Sequence, residues 1–400
     1  MSKQWPRVKI GDALTERRET PSVDDLALGL VRIVSKISFD TGRIELRTES
    51  ETNTGMILAR PGDLVISGIN AAKGAIAIYG PENSEPIAAT IHYGAFTPKP
   101  DRADLKFLWW FFRSQVFREL LNEHVPGGIK TELKSKRFLP IPIPLPPLAE
   151  QRRVVARIES LATQIHEART LRQQAAEEGE ALLVSFRRAA FGESSQPDWI
   201  PLSNYLEGIV NGKSPATEGR RAASDEWAVL KVGAVSFGVF DDQANKALPV
   251  SYAVPPSMEV RTGDFIMSRA NTVELVGACA LVRKTRPKLM LSDKTFRFVF
   301  REPRKNVPEY LEQVLKSPPL REQIERGASG TSPTMKNISK EKVLALRLPP
   351  FALAEQRRIV AELDALQSEV DALKRLQAET AAELDALLPA ILDRAFKGEL

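Results

Sequence analysis

The sequence predicts a mixed α/β (α+β) protein in which two unlike globular domains are joined by two long antiparallel helices, the whole being a tandem duplication. Three observations carry this. A helix-opening segment occurs twice, Ala149-Glu150-Gln151-Arg152-Arg153 and Ala354-Glu355-Gln356-Arg357-Arg358, 205 residues apart. Apolar residues after each copy recur at coiled-coil spacing. Short β-type runs broken by turn residues fill the stretch upstream of each copy. The expected organisation is a first domain over 1–145, a helical spacer over 146–193, a second domain over 194–347 and a second spacer over 348–400.

In the first domain, Asp63-Leu-Val-Ile-Ser67 and Gly74-Ala-Ile-Ala-Ile-Tyr79 read as strands, and Leu105-Lys-Phe-Leu-Trp-Trp-Phe-Phe112 as a helix. Trp109 and Trp110 fit a core better than a base-stacking surface. The first spacer opens after PIPIPLPPL, with Glu150 in its first turn, as suits a helix N-terminus. Its seam is Val154, Ile158, Leu161, Ile165, Ala168, then Leu182 and Phe186. From Gln151 to Ala190 such a helix is roughly 60 Å long. In the second domain, Arg261-Thr-Gly-Asp264-Phe-Ile-Met-Ser268 echoes Arg60-Pro-Gly-Asp63-Leu-Val-Ile-Ser67, and a helix is expected near Glu309–Leu315. An acid beside glycine suits a tight turn, so Asp63 and Asp264 read as structural. The second spacer follows LRLPPFAL with seam Ile359, Leu363, Leu366, Val370, Leu373, then Leu387 and Ile391. Both seams weaken midway, at Arg172, Ala175 and Gly179 and at Gln377, Thr380 and Leu384. That is a tolerated polar break or a place where another subunit touches the coil.

Composition narrows the chemistry. Lys plus Arg is 56 against 51 Asp plus Glu, a formal charge of +5 and a mild lean toward an anionic partner. Three histidines and one cysteine, Cys279, match no zinc spacing, and no disulfide can form within the chain. Cys279 in VGACALV reads as a small core residue. No apolar run reaches the ~18 residues of a membrane span. The N-terminus lacks an apolar signal core, so a cytoplasmic location is expected. The phosphate-loop motif of ATP hydrolysis is absent.

The doubled Pro-Leu…AEQRR segments, the helices after them and the RPGDLVIS and RTGDFIMS segments resemble the specificity (S) subunit of type I restriction–modification enzymes, over nearly all of the chain. The resemblance implies two target recognition domains, each reading one half of a split, asymmetric site in double-stranded DNA. It implies helices that set the spacing and dock two methyltransferase (M) subunits, with restriction (R) subunits joining the full complex. It implies no catalysis and no cofactor on this chain: S-adenosylmethionine belongs to the M subunits, ATP and Mg to the R subunits.

Candidate DNA contacts follow the repeat. Loops after the two Gly-Asp strands hold Ser67, Asn70 and Lys73, and Ser268, Arg269 and Asn271; Asn can pair with adenine and Arg with guanine. Glycine loops hold Gly128, Lys130, Thr131 and Lys134, and Gly330, Thr331, Ser332 and Lys336, where backbone N–H groups can cradle phosphate. Leu281–Lys305 is the most basic stretch, with Arg283, Lys284, Arg286 and Lys294 as phosphate contacts. Plain turns and a solvated strand face are the plainer readings. Glu150, Gln151, Arg152, Arg153, Glu355, Gln356, Arg357 and Arg358 are candidates for subunit docking, or ordinary helix charge.

Two enzymatic alternatives are weak. A DNA methyltransferase with its own recognition domains needs a Pro-Pro-aromatic motif, but Ser317-Pro318-Pro319-Leu320 lacks the aromatic ring. A stand-alone nuclease fits Pro100-Asp101 and Glu132-Leu133-Lys134 only through a very permissive pattern.

Overall fold

Strand Asp63–Ser67 is buried along its whole length, which only a central strand covered on both faces achieves. It lies in a four-stranded antiparallel sheet ordered Leu14–Glu16, Tyr93–Pro98, Asp63–Ser67, Ile76–Tyr79. A second sheet is ordered Ile44–Arg47, Arg32–Ile37, Ile87–Thr90, Met56–Ala59, with its middle pair parallel. Helices Leu105–Phe112 and Gln115–His124 are capped by Asp104 and Ser114. The structure, a computed structural model, describes residues 5–47, 54–125, 132–192, 196–301, 308–330, 332 and 335–400. None of the helices among these is long and apolar enough to cross a membrane.

The chain divides into two units, Met1–Arg172 with Gln377–Leu400, and Gln173–Leu376. The second unit repeats the plan of the first. Its main sheet is ordered Leu206–Asn211, Thr295–Phe300, Phe265–Ser268, Cys279–Leu281, again antiparallel. A three-stranded sheet of Asn245–Ala247, Ala228–Leu230 and Leu289–Met290 again contains a parallel pair. Helices Pro308–Leu315 and Pro318–Gly327 stand where the first unit has its two. Cys279 is buried, and burial pushes its thiol up to about 12. Trp110 is core; Trp109 is half-buried and donates from Nε1 to the Ile76 carbonyl at 2.9 Å.

Two long helices, Leu148–Phe191 and Leu353–Phe396, have 44 residues each. They pair antiparallel, because in each unit the start of one meets the end of the other. In the first, Val154, Val155 and Ile158 share a core with Leu392, Ala395 and Phe396. In the second, Leu183 and Phe191 share a core with Ile359, Leu363 and Val370. The polar break is internally satisfied: Gln377 Nε2 donates to the Arg172 carbonyl at 2.9 Å, and Arg172 Nη1 donates to Thr380 Oγ1 at 2.9 Å. Arg172 and Gln377 are themselves repeat partners, 205 residues apart.

The seam departs from the expected register at one point. Leu182 and Leu387 are 53% and 45% exposed, and Leu183 is the buried residue instead, at 1%. Leu388, its repeat partner, packs on the first unit's core. A strict 3.5-residue repeat predicts Leu182 and Leu387. A straight helix of 3.6 residues per turn drifts by about 20° per heptad, so the contact position slips by one residue. The slip falls at the same place in both helices.

The Gly-Asp turns are structural, as their chemistry suggested. Asp63, fully buried, accepts from the Arg60 amide at 2.8 Å, from Thr97 Oγ1 at 2.8 Å and from the Arg17 guanidinium. Asp264 accepts from the Arg261 amide at 2.9 Å and from Arg297 Nη1 at 3.2 Å. A second buried acid, Glu312, accepts from the Leu281 amide at 3.2 Å, Arg283 Nη2 at 2.8 Å and Lys316 Nζ at 3.0 Å. Burial works to raise its pKa, but Lys316 and Arg283 outweigh burial and hold it below the usual carboxylate value.

Two outcomes follow. Leu183→Ala costs about 3 kcal/mol in urea unfolding, whereas Leu182→Ala stays within about 0.5 kcal/mol; a strict heptad reverses the two. Because the folded pKa of Glu312 is depressed, its charge contributes stability above the ordinary pKa of ~4.3 and loses it as pH falls through the folded value. Glu312→Ala therefore costs about 2 kcal/mol at neutral pH. Its unfolding midpoint should fall less than the unsubstituted chain's between neutral and acid pH.

Candidate nucleic-acid interface

Each unit builds one loop cluster from two segments far apart in sequence. Past the buried Ser67, the Gly68 amide donates to the His92 carbonyl at 2.7 Å, and the Leu133 amide donates to the Gly68 carbonyl at 2.8 Å. Past the buried Ser268, the Arg269 amide donates to Lys294 at 2.8 Å, and the Ile338 amide donates to Arg269 at 3.0 Å. The loop after the Gly-Asp strand is thus tied in both units to the end of the glycine-loop segment, at Leu133 and at Ile338. A Cβ on Gly68 would sit 2.9 Å from the His92 carbonyl oxygen, so the first unit needs glycine at this crossing, whereas the second carries Arg269 there. In the second unit the join extends to a short ladder, Asn271 opposite Lys336. Lys336 Nζ donates to the carbonyl of Gly330 at 2.7 Å.

The candidate residues divide by placement. Lys73, Lys134, Lys284, Lys294 and Gly330 are exposed. Lys134 and Lys294 lie 3.5 Å from Glu132 and Asp293. Asn70 is half-buried and lines a cleft of about 290 Å³ with Ser38, Phe39 and Tyr93. Asn271 Nδ2 donates to Ser236 Oγ at 2.9 Å. The Arg269 guanidinium lies 6.0 Å from the Phe296 ring centroid. Ser332 is half-buried. Gly128, Lys130, Thr131 and Thr331 lie outside the described residues.

Two expectations need correction. Ser268 ends its strand fully buried and presents no side chain to a ligand. Arg286 is folded inward: its guanidinium donates to the Ala222, Ala223, Ser224 and Glu226 carbonyls, closing the 222–226 loop. Ser67 is buried but lines the cleft with Asn70, and Arg283 pairs with buried Glu312 while staying exposed. A basic run in sequence does not show which of its charges have partners elsewhere in the fold.

One pair of features escaped the sequence reading. Ser38-Phe39-Asp40 and Ser236-Phe237-Gly238 occupy matching places, beside Asn70 and Asn271 respectively. Phe39 is 45% exposed and Phe237 85%. Arg113, just past helix Leu105–Phe112, donates to the Phe39 carbonyl at 3.1 Å and also to Asp40. Lys316, just past helix Pro308–Leu315, donates to the Gly238 carbonyl at 2.7 Å. Arg113 and Lys316 are repeat partners, each followed by a buried serine. The signal in the sequence was a basic-Ser pair 203 residues apart and a Ser-Phe pair 198 apart.

The AEQRR segments also separate by face. Gln151 is fully buried: its Oε1 accepts from the Asp104 amide at 2.8 Å, and its Nε2 donates to Arg102 and Pro146 carbonyls at 3.0 and 2.8 Å. Gln356 is buried too and donates to the Phe351 carbonyl at 2.8 Å. Gln151 anchors its helix to its own domain and Gln356 ties its helix to Phe351 just ahead of it; both are buried and not available to a partner, which corrects the docking assignment. Glu150 pairs with Arg153 at 2.8 Å and Glu355 with Arg358 at 2.7 Å. Arg152 and Arg357 are exposed. The Ser317-Pro318-Pro319-Leu320 segment starts a helix with Ser317, Pro319 and Leu320 buried, so it offers no platform for a flipped base. Among the described residues, no group of three or more His, Cys, Asp or Glu side chains is arranged to hold a metal ion.

Comparison with known proteins agrees with this architecture. Residues 43–175 match the family model of the Type I restriction modification DNA specificity domain. The Type I restriction enzyme EcoKI specificity subunit of Escherichia coli (strain K12) is 26% identical over 368 residues, covering 85% of this chain and 75% of the relative. The crystal structure of the HsdS subunit from Thermoanaerobacter tengcongensis superposes with a TM-score of 0.62 at 25% identity, over 99% of this chain and 97% of that one. A chain from a structure on complex assembly and conformational transition of the type I R-M system shares the fold, with a TM-score of 0.71 at 24% identity over 100% of both chains. The chain has the sequence relationships, and from end to end the fold, of a DNA specificity subunit of type I restriction–modification enzymes.

Proposed function

We propose that each unit reads one half of a split, asymmetric site in double-stranded DNA. The observation that carries this is the repeated loop cluster: two domains share one hydrogen-bonded framework but hold different side chains on it. Unlike side chains on a common platform suit two different half-sites. Asn70 and Asn271 are the base-reading amides. Lys73, Lys134, Lys284, Lys294 and Lys336 supply phosphate contacts whose strength falls with salt.

In this reading the helices set the gap between half-sites and dock two methyltransferase subunits. Each helix, at 44 residues, amounts to about 66 Å of axis. The docking face is duplicated: Arg152 and Arg357 project from equivalent positions, and Leu171 and Leu376, also repeat partners, are 65% and 54% exposed. Two equal faces suit two copies of one partner. This chain then carries no catalytic group. Methyl transfer from S-adenosylmethionine, and ATP- and Mg-dependent work by restriction subunits, take place on the partners in the cytoplasm.

Modified-base sequencing tests the reading, using a methylation-free host that expresses the M subunit with and without this chain. The expected result is a new motif of two short half-sites around a fixed gap. Exchanging residues 194–347 for those of another specificity subunit should change one half-site only. Co-purification of both proteins without new methylation would overturn the reading. Arg152→Glu with Arg357→Glu should weaken M-subunit binding by about tenfold per site while leaving urea unfolding unchanged; full assembly of this variant would remove the arginines from the docking face.

A further inference from the structure

The loops bearing Phe39 and Phe237 have no role in the reading above beyond their position. They are nonetheless built with care. Phe237 is 85% exposed and its neighbour Val239 is 73% exposed, an apolar tip set in water. The backbone under it is held on both sides, by Asn271 on Ser236 Oγ and by Lys316 on the Gly238 carbonyl, with Gly238 in the left-handed region at φ 75. Phe39 is held by Arg113 through its own carbonyl, and Lys73 Nζ lies 5.8 Å from the ring centroid. The clamp fixes the backbone at each tip; Phe237 stands out from it, and Phe39 borders the Asn70 cleft. A basic residue holding the loop of an exposed phenylalanine recurs in both units, among otherwise different side chains, and points to a shared task.

We propose that Phe39 and Phe237 are wedge residues, one per half-site, each entering a base step of the DNA beside the asparagine that reads its edge. The inference rests on the DNA-reading function proposed above. Apolar wedges unstack a base step and kink the duplex. Cations beside an aromatic ring match a phosphate backbone next to a base face. Lys73 supplies such a cation at the Phe39 ring, and at Phe237 Lys316 holds the backbone carbonyl of the next residue, Gly238. Asn70 lines one cleft with Phe39, and Asn271 binds Ser236, the residue before Phe237, so wedge and base reader address neighbouring positions.

The test uses the assembled complex with its M subunits and duplexes carrying 2-aminopurine at successive positions of the site found by methylation sequencing. The intact complex should raise the fluorescence at one step in each half-site, as unstacking does. Phe39→Ala should abolish the rise in one half and Phe237→Ala in the other, each with about tenfold weaker binding. Phe39→Leu and Phe237→Leu should restore much of it. The salt dependence of binding should keep its slope, because no phosphate contact is removed. Tight binding with no rise at any step, or a rise unchanged in both alanine variants, would overturn the wedge and leave half-site reading intact. A loss of M-subunit co-purification in place of the DNA effect would assign the rings to a protein interface and also overturn it. An intact complex that binds no split site would overturn both readings.

Discussion

The core of the first domain is closed by residues some 250 positions further along the chain. Phe396 stacks edge-on against Phe107 and Phe111, at ring-centroid distances of 5.4 and 5.2 Å, and Leu392 and Ala395 pack beside Val154 and Ile158. The second domain is completed in the same way by Ile359, Leu363 and Val370. The long helices are therefore parts of both hydrophobic cores as well as connectors. The buried amide of Gln151, bonded to three backbone groups, fixes how its helix is rotated where it leaves the first domain. A wrong rotation would turn the seam residues toward water, so seam and anchor have to agree.

Above that base the molecule separates a repeated framework from its variable surface. Several arginines are tied to the framework: Arg17 to Asp63, Arg297 to Asp264, Arg283 to buried Glu312, Arg286 to a ring of carbonyls. Buried ion pairs contribute little net stability but are costly to break, which makes them effective at holding one loop geometry. On the loops above that framework lie lysines, two half-buried asparagines and two exposed phenylalanines. This division lets the reading surface change while the platform under it stays the same.

Much of this was legible in the sequence, because duplication writes structure twice. The 205-residue spacing of the AEQRR segments matched the spacing of two 44-residue helices, and the helices near Leu105 and Glu309 lie where their apolar patterns put them. The slip from Leu182 to Leu183 was not legible: heptad counting assumes supercoiling throughout, and the drift of a straighter helix enters only over several turns. Arg286 was misread because its partners, the 222–226 carbonyls, lie about 60 residues away. Gln151 looked like surface because a glutamine in a charged segment gives no hint that three backbone groups converge on it. Phe39 and Phe237 were passed over because an isolated phenylalanine is ordinarily core; only burial distinguishes them.

The split of the first unit across the sequence has a consequence for its synthesis. Residues 1–172 cannot complete their fold until residues 377–400 exist. At 5–20 residues per second, the ribosome needs roughly 10 to 40 s to cross the intervening two hundred residues. During that time the second unit emerges whole, while the Phe- and Trp-rich helix Leu105–Phe112 of the first waits without the ring of Phe396 against it. The order of maturation therefore inverts the order of translation. The nascent first domain is the part of this chain with most need of a chaperone.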